Sequence, residues 1–203
     1  MMGISNAQKS AYNILTSVLG QAITIILGVV IPRLVLVNLG SENNGLLSSI
    51  TQVLGYASLL EAGVGLASLQ ALYKPVAEHD EASVNAIMSA TNLYYRRTGI
   101  AYLLTVIILS AIYPVIIKSS LPYGTITIVV LISGLPGVVN YYFQGKYKIL
   151  LQAEGRTYII TNLATVIGIL TSIGKILLLL LGFGVIAVQS LYLALSLGFY
   201  TRA

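Results

Sequence analysis

The sequence predicts an all-α integral membrane protein, a six-transmembrane-helix bundle, on two observations. Hydrophobic residues make up 57% of the 203-residue chain and charged residues only 8%, with a mean hydropathy of +0.89. This composition leaves too little polar surface to cover a water-soluble globule. In addition, six apolar stretches are each long enough to cross a bilayer, which takes about 20 residues of helix. We expect these stretches to be helices, because in hydrocarbon each backbone amide must be paired within its own segment.

The six predicted spans follow one another with short connections. They cover residues 11–37, 46–72, 95–117, 124–144, 158–181 and 184–200. The first is predicted to be a retained helix, because its apolar run exceeds that of a signal peptide and no small-x-small cleavage site follows it. No connection is long enough to fold separately, so residues 1–203 are predicted to form a single membrane unit.

The positions of Lys and Arg predict the orientation of the chain. A cytoplasmic N-terminus places most of these cations on the cytoplasmic side, with only Arg33 and Lys118 outside and Lys175 within a span. Many of the 14 tyrosines fall at the ends of predicted spans, where an amphipathic ring meets both lipid and water. We therefore expect a multi-pass protein whose N-terminus is cytoplasmic.

Several classes of function are disfavoured. The chain has no Cys, which excludes disulfide scaffolds, thiolate metal sites and cysteine nucleophiles. No HExxH, GxSxG or phosphate-binding GxxxxGKS motif is present, and the one histidine, His79, falls in a charged turn. We therefore expect neither an enzyme nor a cofactor or metal site. The net charge of +5 comes from scattered cations, which argues against a nucleic-acid partner.

Polar residues recur at helical spacing in the first, second, fourth and fifth predicted spans. Gly, Ser and Thr on such a stripe are explained by close helix packing. Larger polar or charged side chains fit tight crossings poorly, and we interpret them as lining a central hydrophilic cavity. These candidates are Gln21, Gln52, Glu61, Asn140, Asn162 and Lys175.

The two charged candidates are the most informative. An ionised group at the centre of a spanning helix costs about 2.5–3.5 kcal/mol on insertion scales, so each is expected to have a partner or water. Lys175 lies about 17 residues beyond Tyr158, roughly 25 Å along a helix, so its long side chain could extend to the outer surface. The side chain of Glu61 is too short to reach the membrane surface, and Glu61 is therefore the stronger functional candidate.

Glycine and proline interrupt the helices that carry these polar groups. In transporters, broken helices mark binding sites or hinges. The predicted hinge residues are Pro32, Gly63, Gly65, Gly134, Pro136 and Gly137.

Three segments carry recognisable motifs. They are Pro32-Arg33-Leu34 with LGSENNG at 39–45, YASLLEAGVGLA at 56–67, and ILLQAEGR at 149–156. In turn they resemble the first loop, the second-helix signature and the segment between helices four and five of the polysaccharide biosynthesis or O-antigen flippase family. That family is part of the multidrug, oligosaccharidyl-lipid and polysaccharide exporter superfamily. Glu61 stands where that family frequently has Asp.

The resemblance implies a flippase of a cell inner (plasma) membrane. Such a protein moves an undecaprenyl-diphosphate-linked oligosaccharide, an O-antigen or capsular repeat unit, from the cytoplasmic to the periplasmic leaflet. The implied partners are this lipid-linked oligosaccharide, membrane lipids and a proton or sodium ion as the coupling ion. Cationic cavity residues would hold the diphosphate or acidic sugars. The candidate charged cavity residues here are Arg33, Glu61 and Lys175, of which the first two lie in matching motifs.

The resembling family has two six-helix halves, and the chain resembles only the first. We therefore expect either that it is the N-terminal half of a longer protein, which its abrupt ending favours, or that it pairs with another chain.

Two other functions remain open. Cation-coupled multidrug efflux would use the same architecture, although aromatic residues are only 8% of the chain and mostly interfacial. A membrane scaffold for polysaccharide assembly would recruit partners through residues 146–156 and would tolerate neutralisation of Glu61 and Lys175.

Overall fold

The computed structural model describes residues 6–61 and 64–200, and within them all regular structure is helical. The elements are α1 Asn6–Leu39, α2 Ser41–Ala57, a 3₁₀ turn Ser58–Glu61, α3 Val64–Ala77, α4 Glu81–Ile116, α5 Tyr123–Val139, a π turn Asn140–Gln144, α6 Gly145–Ala153, α7 Thr157–Leu180 and α8 Val185–Tyr200. The all-α fold class is therefore confirmed.

Four stretches of the described chain are long and apolar enough to cross a membrane. They are Val18–Leu39, Glu81–Ile116, Tyr123–Ala153 and Thr157–Leu180. These stretches indicate a membrane-embedded protein. They overlap the first, third, fourth and fifth predicted spans, whereas α8 has only 16 residues and the second predicted span is divided. The predicted count of six spans is therefore not confirmed.

The predicted span 46–72 is not a single α-helix in the structure, and it is divided close to Gly63 and Gly65, two of the predicted hinge residues. The helix α2 ends at Ala57 and α3 begins at Val64, after the 3₁₀ turn. At the junction, the Ser58 hydroxyl donates to the Gly55 carbonyl at 2.6 Å, a local hydrogen bond that competes with helix continuation. Glycines at 63 and 65 lower helix propensity further. Gly63 itself lies outside the described residues.

Two other predicted boundaries move outward. The helix predicted over 95–117 begins at Glu81, because the Asp80 side chain caps it by accepting a hydrogen bond from the Ser83 amide at 3.1 Å. The predicted span 124–144 continues through the π turn to Ala153, so most of residues 145–157 is helical rather than a loop.

The helices are regular at several predicted hinges. The helix α1 continues through Pro32, and α5 continues through Gly134, Pro136 and Gly137. A Cβ at Gly134 would lie 2.6 Å from the Cγ1 atom of Val106, and one at Gly137 would lie 2.7 Å from the Cε1 atom of Tyr102. These two glycines therefore let α5 pack closely on α4, and a hinge role for them stays a prediction.

The bundle is organised around α4 and α5. The helix α5 packs on α4 and α8, α7 packs on α1 and α8, and α3 packs on α6 and α4. One apolar core contains Leu46, Ile126 and Val185, and a second contains Leu72, Tyr95 and Ile149. The helix α1 lies at the edge, with only 6% of its span buried, so its apolar surface faces outward.

The first turn of α2 is tied to the connection between α4 and α5. The Glu42 carboxylate accepts hydrogen bonds from the Ser120 amide at 3.3 Å and from the Ser120 hydroxyl. These hydrogen bonds from Ser120 lower the pKa of Glu42 from its ordinary value. A lowered pKa in the folded state stabilises the fold above the unfolded pKa of 4.5, and this contribution is lost as the pH falls through the folded pKa.

We expect Glu42→Gln to flatten the acid side of the stability profile. The drop in melting temperature between about pH 6 and pH 3 should be smaller in this variant than in the wild type, because one ionised contact has been removed. Glu78→Gln, which changes an exposed carboxylate in the turn that follows α3, is the matched control. An unchanged drop in Glu42→Gln would show that the Glu42–Ser120 contact does not contribute.

Candidate functional site

A polar cavity of about 260 Å³ lies where the 3₁₀ turn and the π turn both approach α4. Its charged lining residues are Glu61 and Lys148, and Tyr95, Asn140 and Gln152 add polar groups. The cavity therefore brings together a carboxylate, an ammonium group, a phenol and two amides from separate parts of the chain.

Glu61 is the last residue of the 3₁₀ turn and is half-buried. The hydroxyl of Tyr95 in α4 donates to Glu61 Oε1 at 2.5 Å. Tyr95 is 2% exposed and belongs to the second apolar core, so its ring is fixed by packing. The core therefore positions the Glu61 carboxylate through this phenol.

Lys148 supplies the cation of the cavity. Its Nζ donates to Asn140 Oδ1, which lies at the start of the π turn. Lys148 and Glu61 both line the cavity. π turns inside α-helices are frequent at functional sites, since the additional residue changes the direction of the side chains that follow. The turn thus places Asn140 and Lys148 in one cavity with Glu61.

Two glycines make room for Tyr95. A Cβ at Gly145 would lie 2.1 Å from Tyr95 Cδ1, and one at Gly65 would lie 2.9 Å from the Tyr95 hydroxyl. A contact below 3.0 Å forces the neighbour to move. Tyr95 therefore reaches Glu61 only because residues 65 and 145 lack side chains.

The sequence analysis missed Tyr95 and Lys148, although a signal for Lys148 was present. Asn140, Gln144, Lys148 and Gln152 recur every four residues, which is the spacing of one helix face. This stripe crosses the segment predicted to be a cytoplasmic connection, and it indicates that the helix continues. Nothing comparable marks Tyr95, since 14 tyrosines are spread along the chain.

Gln21 lies in a different place, a groove of about 670 Å³ between α1 and α7. Gln21, Thr24 and Gly28 line one side of this groove, and Gly168 and Ser172 line the other. Two of the predicted polar stripes therefore face each other here. Neither Glu61 nor Asn140 contributes to this groove.

Lys175 is half-buried among α5, α7 and α8. Its Nζ donates to Gln189 Oε1 at 3.0 Å, and Gln189 Nε2 donates to Ser133 Oγ at 2.8 Å. The ammonium group also lies 5.5 Å from the centroid of the Tyr192 ring. Lys175 is therefore held by neutral partners, away from the lining of the Glu61 cavity.

The remaining three candidates, Arg33, Gln52 and Asn162, are exposed and line neither the cavity nor the groove. The structure thus divides the seven predicted residues instead of gathering them around one central cavity. Only Glu61 and Asn140 share a site.

We expect Gln189→Leu to destabilise the protein by about 1–3 kcal/mol, because it leaves the half-buried Lys175 ammonium without its acceptor. The double variant Lys175→Met/Gln189→Leu should recover most of this loss, since no ammonium group is then left without an acceptor. Unfolding in detergent, followed by circular dichroism, measures both. Equal destabilisation in the two variants would contradict the proposed role of Gln189 as partner.

The described residues contain no cluster of three or more His, Asp or Glu side chains arranged to hold a metal ion. The cavity instead offers one carboxylate and one ammonium group within reach of a small ligand. Such a pair can take up a proton or cation at Glu61, or bind an anionic group at Lys148. No family model, curated protein or solved structure matches the chain. Its function is therefore argued from this site.

Proposed function

We propose that the protein is one half of a transporter that flips an undecaprenyl-diphosphate-linked oligosaccharide across a cell inner membrane. The observation that carries the proposal is the Glu61 carboxylate, fixed by Tyr95 beside Lys148 at the junction of interrupted helices. Ionisable groups within membrane segments are expensive and are by default functional.

The two turns in these helices support a transport function. The pair α2 and α3 is interrupted by its 3₁₀ turn, α5 and α6 form one continuous stretch that contains a π turn, and both turns approach α4 at the cavity. In transporters, discontinuous helices expose backbone groups and mark the place where a substrate or coupling ion binds. We assign Glu61 to the coupling ion and Lys148 to the anionic substrate.

The proposed topology keeps six crossings. In it, α2 and α3 cross together as one interrupted span, and α8, whose 16 residues extend about 24 Å, is the sixth. A helix of this length is accommodated by local thinning of the bilayer. The N-terminus is cytoplasmic, following the bias of Lys and Arg.

The proposal also requires a second half, in the same polypeptide or in another chain. The outward-facing surface of α1 supports this requirement, because an apolar face at the edge of the bundle is available to lipid or to a facing bundle. The 670 Å³ groove between α1 and α7 lies along the same edge.

Deletion of the gene tests the proposed function. The expected result is loss of surface polysaccharide together with accumulation of lipid-linked repeat units in the cytoplasmic leaflet. Increased sensitivity to amphipathic drugs with normal surface polysaccharide would overturn the proposal and favour multidrug efflux.

A further inference from the structure

A second cavity lies beside the Glu61 cavity, in the groove between α6 and α7. It has a volume of about 280 Å³. Phe143, Tyr147 and Leu151 line one side, and Ile159 and Leu163 line the other. Among the described residues that line it, Lys148 is the only charged one. The groove is therefore a mostly apolar trough with one amide, that of Gln144, and one cation.

The groove opens outward, where a membrane protein meets lipid. Phe143 is 59% exposed and Tyr147 is 56% exposed. Lys146 lies with its Nζ 4.7 Å from the centroid of the Tyr147 ring. Aromatic rings accompanied by lysines are typical of the membrane interface, on the side that the cation bias predicts to be cytoplasmic. The trough therefore adjoins the headgroup layer.

We propose that this groove binds an anionic phospholipid, with its headgroup phosphate on Lys148 and the start of an acyl chain along the apolar walls. The charge complementarity supports this occupant, because a phosphate accepts charge-assisted hydrogen bonds from an ammonium group. Anionic lipids of the cytoplasmic leaflet are attracted to such cations by about 1 kcal/mol for each residue, or about fivefold in affinity. The site requires neither the flippase function nor the second half of a transporter.

The same lysine lines both cavities. Its Nζ donates to Asn140 Oδ1 in the cavity that it shares with Glu61, and the same side chain also lines the groove. A lipid phosphate in the groove therefore competes with Glu61 for one ammonium group. Lipid binding would weaken the electrostatic support of the Glu61 carboxylate, and loss of the Glu61 charge would strengthen lipid binding.

Quenching by brominated lipids tests the site. The chain has no Trp, so Phe143→Trp creates a single reporter at the groove. The reporter protein is placed in phosphatidylcholine nanodiscs with brominated phosphatidylglycerol or, separately, brominated phosphatidylcholine. We expect half-maximal quenching at about a fivefold lower fraction of the anionic lipid. Lys148→Gln should abolish this preference, Lys148→Arg should keep it, and Glu61→Gln should increase it.

Lys74→Gln is the matched control, because Lys74 is an exposed cation on the same predicted side of the membrane but outside the groove. Its preference should equal that of the reporter protein. Equal quenching by the two lipids, or a preference that survives Lys148→Gln, would overturn the proposal. Displacement of the preference by inorganic phosphate alone would assign the site to a free anion, and displacement only by farnesyl diphosphate would assign it to a prenyl lipid. Circular dichroism confirms that each variant is folded before it is compared.

Discussion

Glu61→Gln is expected to reduce polysaccharide export by at least about tenfold while the amount of protein in the membrane stays normal. The substitution keeps the size of the side chain but removes its charge and its capacity to take up a proton. A hydrogen bond to an ionised group contributes about 1.5–3 kcal/mol, which corresponds to about 10-fold to 150-fold in an equilibrium. The measurement is the quantity of surface polysaccharide per cell, normalised to protein level.

Two further variants separate the function of Glu61 from its surroundings. Glu78→Gln changes an exposed carboxylate, in the turn that follows α3, that pairs with Lys74, and it should export normally. Tyr95→Phe retains the ring and removes only the hydroxyl that donates to Glu61, so we expect an intermediate loss. Normal export in Glu61→Gln would remove this residue from the mechanism.

Gly145→Ala is expected to destabilise the fold by about 1–3 kcal/mol and to impair export, because the added methyl group would occupy the position of the Tyr95 ring. Displacement of that ring breaks the hydrogen bond to Glu61. A single methyl group should therefore affect both the core and the cavity. Thermal unfolding and export assays measure the two effects.

The chain provides a matched control for this substitution. Gly124 lies in the first turn of α5, and a Cβ there would meet no atom within 4 Å. Gly124→Ala should therefore be neutral or slightly stabilising, as expected when a helical glycine is replaced. In a Tyr95→Leu background, Gly145→Ala should cost less stability, because the clashing ring is absent. A cost of the same size in both backgrounds would mean that the methyl group disturbs something other than Tyr95.

The membrane class and four of the six predicted apolar segments follow from the sequence, because hydrophobic length depends on composition and needs no knowledge of neighbours. The prediction that Glu61 is functional was made in the same way, since a carboxylate within an apolar run is costly wherever the helix lies. Asn140 was predicted from its large polar side chain, and the structure places it with Glu61.

The rest of the site depends on tertiary contacts. The break after Ala57 and the π turn at Asn140–Gln144 are changes in the pattern of backbone hydrogen bonds. They leave the hydropathy of the chain unchanged, so a hydropathy analysis does not reveal them. Lys148 was counted among the cytoplasmic cations, because it follows the predicted span 124–144. Arg33, Gln52 and Asn162 were predicted to face a common interior, but the periodicity of a helix shows only that residues share a face. It does not show which neighbour that face meets.

The π turn has a consequence for how an ammonium group can be reoriented within the membrane. One surplus residue in a helix rotates everything beyond it by about 100° relative to an uninterrupted helix. If the π turn moved by one position along the chain, only one side chain would change the direction in which it points. The helix on either side of the turn would keep its orientation. Movement of the turn would therefore bring different polar side chains of the Asn140–Gln152 stripe to face α4. Such a change would rearrange a few backbone hydrogen bonds and would need no rigid-body displacement of the helix.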